Sequence, residues 1–250
     1  MPIWLQAALW GLAAGSALLI GAAIGYLVHV RRRVIAWVMA FGAGVLISAM
    51  SLDLMQEAFR RGGFDSTAIG FLAGAAMFTI GDSLLRRRGG KHRKRSDGQP
   101  AEKDAKGSGL SIALGALLDG IPESIAIGVS VIAGGAVSIV TVVAVFVSNV
   151  PEGLSSAFGM KRAGRSAAYI FGVWGGIAAV SCLASLAGCA FFGRYSPDVV
   201  AATIAVAAGG VLAMVSDTMI PEAFHEAHDF TGIITVLGFL CAFVISKISG

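Results

Sequence analysis

Long apolar stretches, separated by short polar ones, make up most of this chain. Eight apolar runs are each close to the length of about 20 residues that an α-helix needs to cross a bilayer. The pattern therefore predicts an all-α fold, a polytopic membrane protein with eight transmembrane helices. The runs cover residues 3–29, 34–58, 67–85, 109–133, 137–160, 166–192, 199–224 and 231–248.

The composition excludes an ordinary soluble protein. Hydrophobic residues make up 56% of the chain and charged residues only 14%, whereas soluble domains carry about 25% charged residues. The mean hydropathy is +0.79. We therefore expect a multi-pass protein of the cell (inner) membrane, with the lipid bilayer as one of its partners.

Basic residues are concentrated in alternate loops, and they predict the orientation of the chain. Fifteen of the 19 Lys and Arg residues lie in the first, third, fifth and seventh loops. Because cytoplasmic loops carry an excess of Lys and Arg, we expect these loops inside and both termini outside the cytoplasm. The basic stretch at 86–95 adjoins a membrane span, so we interpret it as a retention signal or a lipid-headgroup contact. We expect no nucleic-acid partner.

One polar linker divides the chain. Residues 87–108 are rich in Gly, Lys, Arg, Asp and Ser, which predicts a disordered cytoplasmic loop. This loop separates helices 1–3 (residues 1–86) from helices 4 and 5 (109–160), which helices 6–8 (161–250) follow. All eight helices are expected to form one membrane domain.

Two distant segments resemble each other and suggest internal repetition. The sequence GVLISAMSLDLMQEAF at 44–59 matches GVLAMVSDTMIPEAF at 210–224 with one gap. The matching segments lie at the ends of helices 2 and 7, which run in opposite directions. They predict an inverted repeat with a 3+2+3 arrangement of helices, a plan common in transporters that bind substrate near the midplane. Each match is short, so convergence through similar packing composition is the alternative.

Two short motifs within helices 4 and 5 carry the candidate site. The sequences are DGIPES, beginning at residue 119, and SNVPEG, beginning at residue 148. In each motif an oxygen-bearing side chain lies four residues before the Glu and therefore on the same helix face. A carboxylate at the bilayer centre costs about 3 kcal/mol or more and usually marks an ion or proton pathway. The candidate metal ligands are Asp119, Glu123, Ser148, Asn149 and Glu152.

The charges and prolines around these motifs favour a cation site. Eight of the 15 acidic residues lie within or at the edges of spans, and no Lys or Arg lies near mid-span to pair with them. Pro122 and Pro151 each remove a backbone donor and free the carbonyls of Leu118 and Val147, which can then serve as ligands. The alternative is that the prolines only kink the helices, while the acids stay protonated and structural.

A second group of candidate residues lies near the ends of helices 2 and 7. Pro221 frees the carbonyl of Asp217 in the same manner as the other two prolines. A loop with acids and two His at the inner face suits a metal exit or holding site, and an ordinary solvated loop is the alternative. The candidate metal residues of this group are Asp53, Glu57, Asp217, Glu222, His225 and Glu226.

With these motifs the chain resembles the ZIP (Zrt/Irt-like) family of divalent metal transporters. In that family the fourth span carries a motif like HNxPEG and the fifth a motif like QDxPEG or HExPHE. By position, Glu123 and Glu152 match the metal-binding acids of the family. Asp119 stands where the family usually has His, while Ser148 and Asn149 replace Gln or His and Asp or Glu, respectively.

The departures from the family pattern bear on the metal. Gly120 replaces Asn, and the sixth span lacks the Glu that family members use for a second metal, so the second site is expected to be lost. The remaining ligands are all oxygens, which suits Mn, Fe(II) or Mg, although carboxylates also bind Zn. The resemblance further implies an elevator-like motion of helices 1, 4, 5 and 6 against helices 2, 3, 7 and 8, and a homodimer.

The sequence thus predicts a secondary transporter that moves a divalent metal ion of the Zn, Mn or Fe class into the cytoplasm. The metal is substrate, and no tightly bound cofactor is expected. A membrane metalloprotease would need a His pair such as HExxH, which the chain lacks, so we expect no enzyme. The alternative is a non-transporting metal sensor or scaffold of the same fold.

Overall fold

The protein is almost entirely helical in the part of the chain that the computed structural model describes, which is residues 1–87, 108–132, 139–192 and 195–249. Residues 51, 108–113, 132, 139, 140, 226 and 249 are described by their backbone only. These ranges contain no strand. The helices are α1 (Ile3–Leu27), α2 (Arg32–Ala49), α3 (Met55–Arg87), α4 (Ser108–Ile132), α5 (Ile139–Arg162), α6 (Ala167–Phe192), α7 (Pro197–Met214), α8 (Ile220–Ala227) and α9 (Thr231–Ser249).

Length and hydropathy make the chain a polytopic membrane protein. Among the described residues, seven helical stretches are long and apolar enough to cross a bilayer. Each of the predicted apolar runs is helical over most of its described length, and most helix ends lie within a few residues of the predicted ends. The predicted cytoplasmic loop covers residues 87–108. Its first residue, Arg87, ends α3, its last residue, Ser108, begins α4, and the residues between them lie outside the described part of the chain.

The second of these stretches is much longer than a membrane crossing. It covers 56 residues from Arg32 to Arg87, which at 1.5 Å per residue would be about 84 Å against about 30 Å of hydrocarbon. The helix is broken at Gly63, whose φ of 66° and ψ of −164° are not helical. Glycine takes this conformation without the Cβ clash of other residues. The stretch therefore consists of two helical segments that meet at Gly63.

Two π-helical segments interrupt the helices at matching positions. The first, Met50–Leu54, follows α2, and the second, Val215–Met219, follows α7. Both begin seven residues before the Glu of the shared Glu-Ala-Phe sequence, so the two segments that resemble each other in sequence also share this irregularity. Such π turns occur frequently at functional sites.

The helices form two groups with extensive internal contacts. The first group is α1, α4, α5 and α6, in which α1 packs along α5 and α6, and α4 packs along α6. The second group is α2, α3, α7, α8 and α9, in which α3 packs along α7, and α2 packs along α9. The groups meet chiefly where α2 contacts α5 and where α4 contacts α7.

Glycines allow the closest of these helix approaches. A Cβ added at Gly153 of α5 would lie 2.2 Å from the Leu18 carbonyl oxygen of α1, and one at Gly209 of α7 would lie 1.9 Å from the Phe71 carbonyl oxygen of α3. Membrane helices associate through such small-residue contacts because lipid provides no hydrophobic force between them. The grouping of the helices therefore depends on where the glycines lie.

We predict that Gly209→Ala destabilises the protein and that Gly176→Ala does not. Backbone cannot move aside to admit a methyl group 1.9 Å away, and over-packing costs about 1–3 kcal/mol. Gly176 has no atom within 4 Å of its added Cβ, so this substitution serves as the matched control. Thermal unfolding in mild detergent measures the difference, and equal melting temperatures for the two variants would contradict the assigned α3–α7 packing.

Candidate functional site

The polar residues of the two proline motifs are all buried. The side chains predicted as ligands in α4 and α5 are at most 5% exposed to solvent. Pro122 and Pro151 lie inside continuous helices. The residues are Asp119, Glu123, Ser148, Asn149 and Glu152. The chain therefore places two motifs with buried carboxylates within membrane-spanning helices.

Both motifs lie where the two helix groups meet. A Cβ added at Gly42 of α2 would lie 3.3 Å from Pro151 Cγ and 3.3 Å from Ser148 Cα. For the motif of α4, a Cβ added at Gly210 of α7 would lie 4.0 Å from Pro122 Cβ. The α5 motif thus packs against α2, and the α4 motif against α7.

Hydrogen bonds orient two of the candidate ligands. The Asn149 Nδ2 donates to the Ala14 carbonyl of α1 at 2.9 Å, so the amide oxygen of Asn149 is directed away from that carbonyl. The Ser148 hydroxyl donates to the Val145 carbonyl of its own helix at 3.0 Å. Because both side chains use their donors elsewhere, each can present an oxygen lone pair to a cation.

The three carboxylates of the motifs do not form a grouped metal centre. Among the described residues, no group of three or more His, Cys, Asp and Glu side chains could hold a metal ion. The helices α4 and α5 have few contacts with each other, and each packs mainly on other helices. The expected meeting of Asp119, Glu123 and Glu152 at one ion is therefore absent from this arrangement, and their role as ligands stays a prediction.

The position next to Asp119 faces a hydroxyl on α6. A Cβ added at Gly120 would meet only the Ser181 Oγ, at 3.8 Å, and Ser181 is itself buried. The family pattern has Asn at the position of Gly120 and a Glu in the sixth span. In this chain a serine hydroxyl of α6 lies near the glycine, and α6 contains no Asp or Glu.

The acids near the first π segment have partners within the protein. Asp53 accepts a hydrogen bond of 3.1 Å from the Ser246 hydroxyl of α9. Glu57 forms salt bridges with Arg60 and, at 2.5 Å, with Arg61. Glu57, at the edge of its predicted span, therefore has arginine partners that lie outside mid-span, because side chains three and four residues apart meet on one helix face.

Asp82 has an arginine partner that sequence analysis did not assign to it. Arg86, four residues later on α3, forms a salt bridge with Asp82 and also donates through Nη2 to the Asp217 carbonyl at 3.3 Å. That carbonyl is the one that Pro221 was expected to free. The spacing of Asp82 and Arg86 was the available signal for the ion pair.

The remaining residues near the second π segment differ in exposure. Glu222 is buried, whereas the side chains of Asp217 and His225 are exposed. The side chain of Glu226 lies outside the described residues. After α8 the backbone turns through His228 and Phe230, both at positive φ. The region from the second π segment to the turn after α8 thus combines one buried acid, Glu222, with exposed polar groups.

An apolar groove on the far side of α4 is a different feature from these motifs. It has a volume of about 560 Å³ and is lined by Ile121 and Ile125 of α4 together with residues of α6. Residues 121 and 125 lie about 200° around the helix from Asp119 and Glu123, respectively. The groove therefore cannot be the cation site.

No protein-family model matches the chain, and no curated protein matches it. The resemblance to the ZIP family accordingly depends on the motifs of α4 and α5 in the sequence.

We predict that Asn149→Ala lowers the free energy of unfolding by about 1 kcal/mol, since it removes the buried hydrogen bond to Ala14 that joins α5 to α1. Ser148→Ala removes only a bond within α5 and should cost less than half as much. Detergent-solubilised variants compared by thermal unfolding measure the two losses. Equal losses would mean that the Asn149 bond does not couple the two helices.

Proposed function

We propose that the protein is a secondary transporter of the ZIP type that carries a divalent metal ion into the cytoplasm. The observation that carries the proposal is the burial of Asp119, Glu123 and Glu152, in two proline motifs, at the boundary between two helix groups. A carboxylate within hydrocarbon must be protonated or face a cation. The same pair of proline and buried acid occurs on two helices at this boundary, which supports a shared ion site.

The proposed topology has eight spans in an inverted repeat. The break at Gly63 supports a division of the long second stretch into spans 2 and 3. In the proposed repeat, span 1 (α1) pairs with span 6 (α6), span 2 (α2) with span 7 (α7), span 3 (α3) with span 8 (α9), and span 4 (α4) with span 5 (α5). The contacts between helices support that pairing. Thus α1–α5 corresponds to α6–α4, and α2–α9 corresponds to α7–α3. The two π segments occupy equivalent positions in this repeat.

The basic residues support the proposed orientation. Lys161 Nζ donates to the Tyr26 carbonyl at 2.5 Å, so the end of α5 lies beside the end of α1. The Arg31–Arg33 cluster follows α1 directly, and it therefore lies at the same end as Lys161. Because positive clusters mark the cytoplasmic side, that end is proposed to face inward and both termini outward.

An elevator-like motion is the proposed mechanism. The first helix group is tied together by two buried hydrogen bonds to α1 carbonyls, from Asn149 to Ala14 and from Ser185 to Ala7, and by close contacts at glycines. Contacts between the groups are less extensive than contacts within them. A rigid first group that slides along α2 and α7 would carry both proline motifs from one side to the other.

The proposed substrate is a metal ion that accepts oxygen ligands. Carboxylates, an amide and a hydroxyl suit Mn, Fe(II) or Mg, and carboxylates also accept Zn. Asp217, Glu222 and His225 are proposed to line the inner route, while Asp53 and Glu57 lie near the outer end.

Uptake into proteoliposomes tests the proposal. We expect wild-type protein to take up at least one of Zn, Mn, Fe(II), Co, Cd and Mg, and we expect the variant Glu123→Ala with Glu152→Ala to lose that uptake, because both acids are proposed ligands. The matched control is Asp65→Ala with Asp198→Ala, which removes two exposed acids and should leave uptake unchanged. A well-folded wild type that takes up none of these ions would overturn the proposal.

A non-transporting metal sensor or scaffold is the second candidate. The lack of a grouped metal centre among the described residues favours the scaffold form of this candidate. Calorimetric titration, combined with the uptake assay, separates the candidates. A transporter binds metal and takes it up, a sensor binds metal without uptake, and a scaffold does neither.

A further inference from the structure

One guanidinium group joins the inner ends of α3 and α7. The Arg86 Nε donates to the carboxylate of Asp82 one turn earlier on α3, and its Nη2 donates to the backbone carbonyl of Asp217 at 3.3 Å. Arg86 thus binds one helix through an acid and the other through a peptide group. A planar guanidinium with five donors can make both bonds at once, which a lysine ammonium does less well.

The carbonyl that Arg86 binds is an unusual one. Asp217 lies within the second π segment, four residues before Pro221, and proline has no N–H to donate to a carbonyl one turn back. A carbonyl that lacks this N–H is available to a donor from another helix. Arg86 supplies that donor from α3, at the helix pair with the most extensive contacts in the structure.

The same end of α3 lies close to the proposed metal site. A Cβ added at Gly81 would lie 3.0 Å from a methyl carbon of Leu118, the residue before Asp119. Arg86 is five residues farther along α3, about 7.5 Å toward the cytoplasmic end in the proposed orientation. A cation that leaves Asp119 inward, between α4 and the α3–α7 pair, therefore comes next to Asp82, Arg86 and Asp217.

We propose that Arg86 is a positioning residue of the inner exit, which acts as a tethered cation. It holds the Asp217 peptide in place and neutralises the buried carboxylate of Asp82, so that the exit passes a departing metal ion without retaining it. This inference rests on the proposed transport function. An exit with two acids and no fixed positive charge would bind the ion that has just left the transport site, and release would become slow.

Substitution of Arg86 separates this role from a purely structural one. In Arg86→Gln we expect the maximal uptake rate to fall about fivefold with KM unchanged, the effect of losing about 1 kcal/mol from a partly exposed ion pair. We also expect more metal to stay bound per chain after gel filtration. The matched control is Arg87→Gln, which removes the neighbouring exposed arginine and should behave as wild type in both measurements.

Two further variants test whether charge is the cause. Arg86→Lys retains the positive charge and should keep metal retention at the wild-type level. Asp82→Asn combined with Arg86→Gln removes the acid together with its partner and should recover most of the uptake rate. A structural role does not predict the recovery in the double variant, because that variant still lacks the bond to the Asp217 carbonyl.

The outcomes distinguish this inference from the proposed function. If wild type transports metal while Arg86→Gln and Arg87→Gln are alike in rate and retention, the tethered-cation role is overturned and transport stands. If Arg86→Gln only lowers the melting temperature, and the folded protein retains the wild-type rate, the role is also overturned. A wild type without uptake overturns the proposed function itself. Slower uptake and higher retention, both reversed in the double variant, would establish the role.

Discussion

The cost of holding carboxylates inside a low-dielectric membrane domain governs the rest of this structure. Asp119, Glu123 and Glu152 are almost completely buried, in helices whose remaining residues are mostly apolar. A charge in such surroundings is tolerated only with a partner or a proton. The chain places these acids beside prolines at the boundary between the two helix groups. At this boundary the acids lie near the backbone carbonyls that the prolines free.

Close helix contact is the second requirement, and small residues meet it. The proposed elevator motion needs one helix group that stays intact while its contacts with the other change. Glycines at the α1–α5 and α3–α7 crossings bring backbones into direct contact, and hydrogen bonds from Asn149 and Ser185 to α1 carbonyls strengthen the first group. In lipid, such packing and hydrogen bonds hold helices together in the absence of a hydrophobic force. The bond of Asn149 therefore joins the candidate site to the packing of its own helix group.

Hydropathy was enough to predict an all-helical protein with several membrane-spanning helices, because a span is a local property of about 20 residues. The candidate ligands of α4 and α5 were also predictable as buried residues, since polar groups are rare in such runs. Their mutual distance was not: α4 packs on α6 and α7 while α5 packs on α1 and α2, and this depends on many small contacts that no short motif encodes. The Arg partners of Glu57 and Asp82 were open to prediction from their spacing of three and four residues.

The two repeat segments show how similar sequences acquire different chemistry. In the first, Asp53 is bound by a serine of α9, and Glu57 is bound by two arginines. In the second, Glu222 is buried, and the Asp217 carbonyl is bound by Arg86 of α3. In the proposed orientation the first segment lies near the outer end and the second near the inner end. An inverted repeat with identical ends would treat an ion alike on both sides, so in the proposed transporter these differences in fixed positive charge would make the entry and the release of an ion unequal.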